Sequence, residues 1–283
     1  MIAGLTIVDM MWLAAALLIA GSVTGFLSGL FGVGGGAVLV PALYELFRFT
    51  GVPEEVRMPL CVGTSLAIIV PTSIRSYLAH RATRTVDQSV LRAWAVPVVV
   101  GVVFGSVIAR FAPEQLFKIV FVVVAAVSAI RLLFGSDSWR LADDLPKGGL
   151  LKFFGVGIGV LSTLMGIGGG QLSNLLMTFC GRPIHQAIAT SSGLGVLISI
   201  PGALGYVFAG WPAAAAYPSV AALQVPFALG YVSLIAAIVV MPTSILAAPV
   251  GVRLAHALPK RKLEIAFGIF LLTVSARFVI SLI

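Results

Sequence analysis

The sequence predicts an all-α polytopic membrane protein, with two inverted repeats that each contain a glycine-broken half-helix or re-entrant hairpin, and about 8–10 membrane segments in all. Three observations predict it. Of 283 residues, 59% are hydrophobic and only 10% are charged, against ~25% in soluble domains. The apolar stretches are long, whereas a transmembrane barrel would show short alternating ones. And one glycine-rich run occurs twice, as "GLFGVGGGAVLVP" from Gly29 to Pro41 and as "TLMGIGGGQLSNLL" from Thr163 to Leu176.

The elements follow in order. Apolar segments fall at 8–31, 37–49, 58–79, 93–112, 115–134, 150–165, 171–181, 185–207, 226–252 and 264–282. No Lys or Arg precedes Arg48, so Trp12 to Leu30 is expected to be a retained helix and not a cleaved signal peptide. Segments 37–49 and 171–181 are short of the ~20 residues that a straight crossing needs. Each follows a glycine cluster and reads as a half-helix or one arm of a re-entrant hairpin. The polar stretch 135–149 reads as a linker between a first membrane repeat, 1–134, and a second, 150–283.

The repeat can be aligned residue by residue. Gly36 and Gly170 lie 134 residues apart, as do Gly32 and Gly166. Thr64-Ser65 corresponds to Thr190-Ser191, and Ser73 to Ser199, each 126 residues on. Lys and Arg mark the cytoplasmic side. The loop holding Arg81, Arg84 and Arg92 has an uncharged counterpart, Ala209 to Gln224, while the modest Arg110 to Lys118 loop has a counterpart with Arg253, Lys260, Arg261 and Lys262. Equivalent loops therefore face opposite sides. Both termini are expected outside, with 135–149 in the cytoplasm.

Glycine costs a helix about 1 kcal/mol relative to alanine, and open backbone at membrane depth is tolerated only where protein or a water-filled cavity satisfies it. Inverted-repeat carriers put such breaks at the repeat interface, with half-helix N-termini aimed at an anion. The candidate substrate-binding residues are accordingly Gly34, Gly35, Gly36, Thr64, Ser65 and Arg75 in the first half, and Gly168, Gly169, Gly170, Gln171, Asn174, Thr190 and Ser191 in the second. The competing accounts are helix packing for the glycines and bonding to the preceding turn for the hydroxyls. Gly25 and Gly29 fit packing alone, so a methyl at Gly25 is expected to be milder than one at Gly35 or Gly169. Lys118 and Arg131 lie close enough to helix ends to snorkel. Arg277 has no evident partner.

The composition also excludes classes. The net charge of +8 sits between apolar runs and not on a basic, aromatic-interleaved surface, so nucleic acid is excluded as a partner. Cys61 and Cys180 read as small buried hydrophobes. The acids and histidines flank the apolar segments, which leaves no metal site and favours an anion over a metal cation. Gly32-x-Gly34-x-x-Ala37 fits a dinucleotide loop only superficially, because that motif needs a strand–turn–helix unit. An intramembrane serine hydrolase fails on Ala67, which stands where Gly63-Thr64-Ser65 would need a second glycine. The chain is read as a non-enzyme without a cofactor. Its partners are a small anionic substrate and the lipid bilayer, with a homodimer left open.

The "GVGGG" and "GIGGG" breaks and the two Thr-Ser pairs together resemble the TauE/SafE family of sulfite exporters and sulfonate permeases, from Gly25 to about Phe278. The resemblance implies a multi-pass bacterial inner-membrane carrier of sulfite, organosulfonates or similar anions, working by alternating access, with export the favoured direction. An anion channel, a facilitator or a carrier of other organic anions is the alternative. The family's repeated glycines carry over onto Gly32, Gly34, Gly35 and Gly36, and onto Gly166, Gly168, Gly169 and Gly170. Its Thr-Ser positions carry over onto Thr64-Ser65 and Thr190-Ser191, although the second half reads "ATSSG" where the first reads "GTSLA".

Overall fold

The computed structural model describes residues 7–31, 35–82, 85–135, 142, 144–146, 148–216, 228–257 and 259–280. Helices α1 (Ile7–Phe31), α2 (Gly36–Phe49), α3 (Glu54–Ala82), α4 (Gln88–Phe111) and α5 (Glu114–Phe134) form the first half. Helices α6 (Gly149–Met165), α7 (Gly170–Phe179), α8 (Ile184–Ala216), α9 (Leu234–Ala257) and α10 (Lys260–Ile280) form the second. A two-stranded hairpin, β1 (Ala228–Leu229) and β2 (Val232–Ser233), precedes α9. Among the described residues, five helices are long and apolar enough to cross a membrane and three more are shorter and apolar. The protein is an all-α polytopic membrane protein.

The local chemistry sets the boundaries. Asp87 caps α4, its carboxylate accepting from the amides of Ser89 and Val90. Gly51 and Gly181 close α2 and α7 with left-handed backbone, at φ 77° and 74°. The amides of Thr50, Gly51 and Val52 return to Leu46, Arg48 and Phe47; those of Cys180, Gly181 and Arg182 return to Leu176, Thr178 and Met177. The two turns therefore close with the same three bonds. They share the pattern Phe-x-Gly-x-Pro, Phe49 to Pro53 and Phe179 to Pro183, which reading the glycine breaks alone overlooks.

Two segments differ from expectation. Segment 226–252 is not one helix, because Gly230 turns the chain at φ 55° into the β1–β2 hairpin and Ser233 then opens α9. The uncharged stretch after the third helix of the second half is not all loop, because α8 continues to Ala216.

Packing directions define the architecture. Helix α1 runs parallel to α9, with Gly21 facing Val240, Gly25 facing Ser244 and Gly29 facing Ala248. Helix α4 runs parallel to α6, with Gly101 on Val156 and Gly105 on Val160. Helix α3 runs antiparallel to α8, from Gly63 on Tyr206 to Tyr77 on Gly193. Helix α5 runs antiparallel to α10, with Phe121 on Phe278 and Leu132 beside Gly268. Each half's first helix thus packs on the other half's fourth, while the third and fifth pack on their own counterparts. Counterparts that run antiparallel are related by an axis lying across the helices, the geometry of an inverted repeat. The axis passes by Ser73 and Ser199, aligned residues whose hydroxyls meet at 3.4 Å.

Candidate functional site

The two breaks meet at the centre of the bundle. Gly35 packs on Thr24 of α1, and α1 and α2 are the arms of a hairpin. In the second half, Gly169 packs on Ile198 and lies beside the Ser162 hydroxyl of α6. The breaks touch directly, for a Cβ on Gly36 would run into the carbonyl of Gly166 and Cα of Ile167.

Both half-helices open in the same way. Gly35 has φ 72° and ψ −6°, and Gly169 has φ 72° and ψ −9°. Side chains other than glycine enter that region only at a cost. Neither N-terminus is capped by a side chain. The Gly35 carbonyl accepts from the amides of Val38 and Leu39, and the Gly169 carbonyl from that of Ser173. The first amides of each half-helix have no partner within the helix and carry its positive dipole end.

Several buried polar side chains on α1, α6 and α7 make no hydrogen bond among the described residues. Gln171, in the first turn of α7, is only 5% exposed, and neither atom of its carboxamide makes a hydrogen bond among the described residues. The hydroxyls of Thr24, Ser28 and Ser162 are likewise buried and unbonded there. Ser28 and Ser162 occupy aligned positions 134 residues apart. That alignment is the signal for them in the sequence.

The Thr-Ser pairs make hydrogen bonds that tie the two halves together. The Ser233 amide donates to Thr64 Oγ1 at 2.9 Å, and the Asp87 amide to Thr190 Oγ1 at 2.9 Å. Each threonine thus holds the residue that opens the fourth helix of the other half. Ser65 donates to the Gly166 carbonyl at 2.8 Å and fixes the second break. Ser191 accepts from Ser173 at 3.1 Å, beside the Gly169 end of the same break. Gly168 and Gly170 are buried within that break, and Asn174 is half-buried on α7. Gly32 and Gly34 lie outside the described residues. Arg75 is exposed on α3, whereas its neighbour Ser73 is buried.

Another pair of aligned positions braces the hairpins from behind. His80 Nε2 lies 3.3 Å from the Gly29 carbonyl, and Tyr206 donates to the Thr163 carbonyl at 3.1 Å. Beyond the far end of α2 sits a buried ionic cluster. Lys118 bonds Glu114 at 2.8 Å and Glu54 at 3.3 Å, with its ammonium 5.2 Å from the Tyr44 ring centre. Lys118 therefore turns inward and does not snorkel. Arg277 pairs with Glu45 at 2.7 Å, and Arg131 lies over Phe179. On the other face Asp144 of the linker holds Arg182 at 2.8 Å. At the start of α4, burial raises the Asp87 carboxyl, but hydrogen bonds from Ser89 and Val90 and the nearby Arg182 outweigh it and hold the group below its ordinary value.

A polytopic bundle whose two broken hairpins meet at a buried centre is the architecture of a membrane transporter, and its relatives carry that description. The chain belongs to the TauE/SafE sulfite exporter family, which it matches over residues 17–278. It is 33% identical to a probable membrane transporter protein of Haemophilus influenzae, over 91% of this chain and 95% of the relative. It is 28% identical to one from Methanocaldococcus jannaschii, over 71% and 75% of the two chains. It is 27% identical to YunE, a probable membrane transporter protein of Bacillus subtilis, over 69% and 78%. No solved structure matches the chain significantly.

Proposed function

We propose that the protein is a secondary transporter of small sulfur-containing anions, sulfite or organosulfonates, in the inner membrane of a bacterium. The observation that carries this reading is the contact between the breaks: the uncapped N-terminus of α2 meets Gly166, four residues before α7, whose own N-terminus is uncapped and carries the buried, unbonded Gln171. Backbone amides at helix N-termini bind oxyanions without a cationic side chain. The two hairpins belong to opposite halves, so rocking one half against the other would expose the same centre to each side in turn, which is alternating access. With the linker 135–149 in the cytoplasm, an inside-negative potential drives an anion outward with about 2.3 kcal/mol per charge per 100 mV, so export needs no coupling ion. Candidate ligands are tested by thermal unfolding of the purified chain, because a ligand that binds only the folded state raises its apparent stability. Sulfite, taurine or sulfoacetate should raise the midpoint, and labelled substrate should show counterflow in proteoliposomes. A shift with nickel or cobalt and none with the oxyanions would overturn the reading.

A further inference from the structure

Resting on the anion-carrier reading above, we infer that the anion is seated on the second break alone, against the first turn of α7, with the Ser162 hydroxyl and the Gln171 carboxamide as its side-chain donors. No side chain caps the α7 N-terminus, and its first amides have no partner within the helix. The Ser162 hydroxyl is 1% exposed and makes no hydrogen bond among the described residues. It lies 3.3 Å from where a Cβ on Gly169, the residue that opens α7, would stand. Gln171 follows two residues later, 5% exposed and equally unbonded. The other hydroxyl of that turn is held by the fold, for Ser173 donates to the Gly169 carbonyl at 2.7 Å and is bonded to Ser191. Backbone amides, a hydroxyl and a carboxamide therefore stand within one buried helical turn. All of them donate hydrogen bonds, which suits the oxygens of a sulfite or sulfonate headgroup.

Helix α6 ends beside this seat, and its C-terminal carbonyls carry the opposite partial charge. Three carbonyls at that end are bonded to donors. That of Ser162 accepts from the amides of Gly166 and Ile167, that of Thr163 from the Tyr206 hydroxyl at 3.1 Å, and that of Gly166 from Ser65 at 2.8 Å. The N-terminus of α2 abuts the same end, since a Cβ on Gly36 would run into the Gly166 carbonyl, so a positive helix end there meets a negative one. The first turn of α2 presents Ala37, Leu39 and Val40, all buried and apolar, and Val40 packs on Gly166. Helix α2 thus completes the wall of the second break and carries no seat of its own. The repeat is inverted in its backbone and one-sided in its chemistry.

The test is calorimetric titration of the purified full chain with sodium sulfite, taurine and sulfoacetate, beside thermal unfolding of each variant without ligand. Ser162→Ala should weaken the ligands that bind the wild type about tenfold or more, the worth of a hydrogen bond to a charged group. It should leave the ligand-free midpoint unchanged or higher, because the hydroxyl it removes is buried without a partner. Gln171→Leu should behave in the same way. Ser28, the aligned counterpart of Ser162, is equally buried and unbonded, and Ser28→Ala should keep wild-type affinity. A lowered midpoint with normal affinity in Ser162→Ala makes its hydroxyl structural and removes it from the seat. Equal weakening by Ser28→Ala overturns the one-sided seat in favour of a shared one. Normal affinity in both Ser162→Ala and Gln171→Leu overturns the seat while leaving an anion carrier in place. Should either of those two variants fail to fold, the other decides beside Ser28→Ala. No heat from the wild type with any of the three ligands overturns the anion-carrier reading itself.

Discussion

Thr64 and Thr190 take up one hydrogen bond each, from the amides of Ser233 and Asp87, and those bonds separate a structural role from a substrate role. Replacing either threonine by valine keeps the shape and strands a buried amide, at a cost of about 1–3 kcal/mol. Thr64→Val and Thr190→Val are expected to lower the unfolding midpoint while leaving anion affinity in the surviving folded protein unchanged. An affinity loss without loss of stability would put the hydroxyls back at the site. Gly35→Ala and Gly169→Ala are expected to impair transport and to cost at least about 1 kcal/mol of stability, through backbone strain and contact with Thr24 and Ile198. Gly25 cannot serve as the mild control, because a methyl there runs into the Ser244 backbone. Gly157, with open space around its Cβ position, is the control, and Gly157→Ala should match wild type in both midpoint and transport. The sequence made the Thr-Ser pairs visible as a repeat but could not assign their role, since the amides bonded to their threonines lie 103 and 169 residues away.

Helix α2 links the centre to the cluster of Tyr44, Glu114, Lys118 and Glu54 through one rigid rod. Glu114 and Lys118 are 6% and 2% exposed, and Lys118 is shared between Glu114 and the more exposed Glu54. Removing one member of a buried pair costs about 3–5 kcal/mol, because the other charge is left buried alone. Lys118→Met should therefore lower the unfolding midpoint in detergent strongly. Glu114→Gln should do less damage, since Lys118 keeps Glu54. Adding Glu114→Gln to Lys118→Met should recover part of the loss, and a double variant as unstable as the sum of the singles would show the pair to be uncoupled. At this scale the half-helices were legible, because glycine clusters and short apolar runs report broken helices wherever they occur. The inward turn of Lys118 was not, since its ring partner Tyr44 and second carboxylate Glu54 come from other helices. Nor was the β1–β2 hairpin, two short strands inside an apolar run that periodicity does not resolve.

For the whole molecule, inversion was legible in two independent records: the alternation of Lys and Arg between aligned loops and the antiparallel packing of α3 on α8 and α5 on α10. The exchange of first and fourth helices between halves was not, because sequence fixes which elements correspond and not which surfaces they bury. The packing fixes the relative orientation of the halves, while the charges propose the absolute one. Arg81 and Arg92 flank the α3–α4 turn, and Arg253, Arg261 and Lys262 flank the α9–α10 turn. Helices α3 and α9 run into those turns, so both turns belong on one side, and their cations put that side in the cytoplasm. Helix α8 ascends antiparallel to α3 and ends on the opposite side. Single cysteines on a Cys61→Ser, Cys180→Ser background read this directly, both native thiols being buried. A cysteine at position 215, at the end of α8, should react in intact cells with a membrane-impermeant maleimide, while one at position 88, at the start of α4, should react only after permeabilisation. Cysteines at 144 and 262 should behave like position 88. Reaction of 88 and 215 from the same side would break the inverted arrangement. Reaction of 88, 144 and 262 from outside, with 215 protected, would keep the inversion and reverse its orientation, and with it the direction in which the membrane potential drives the anion.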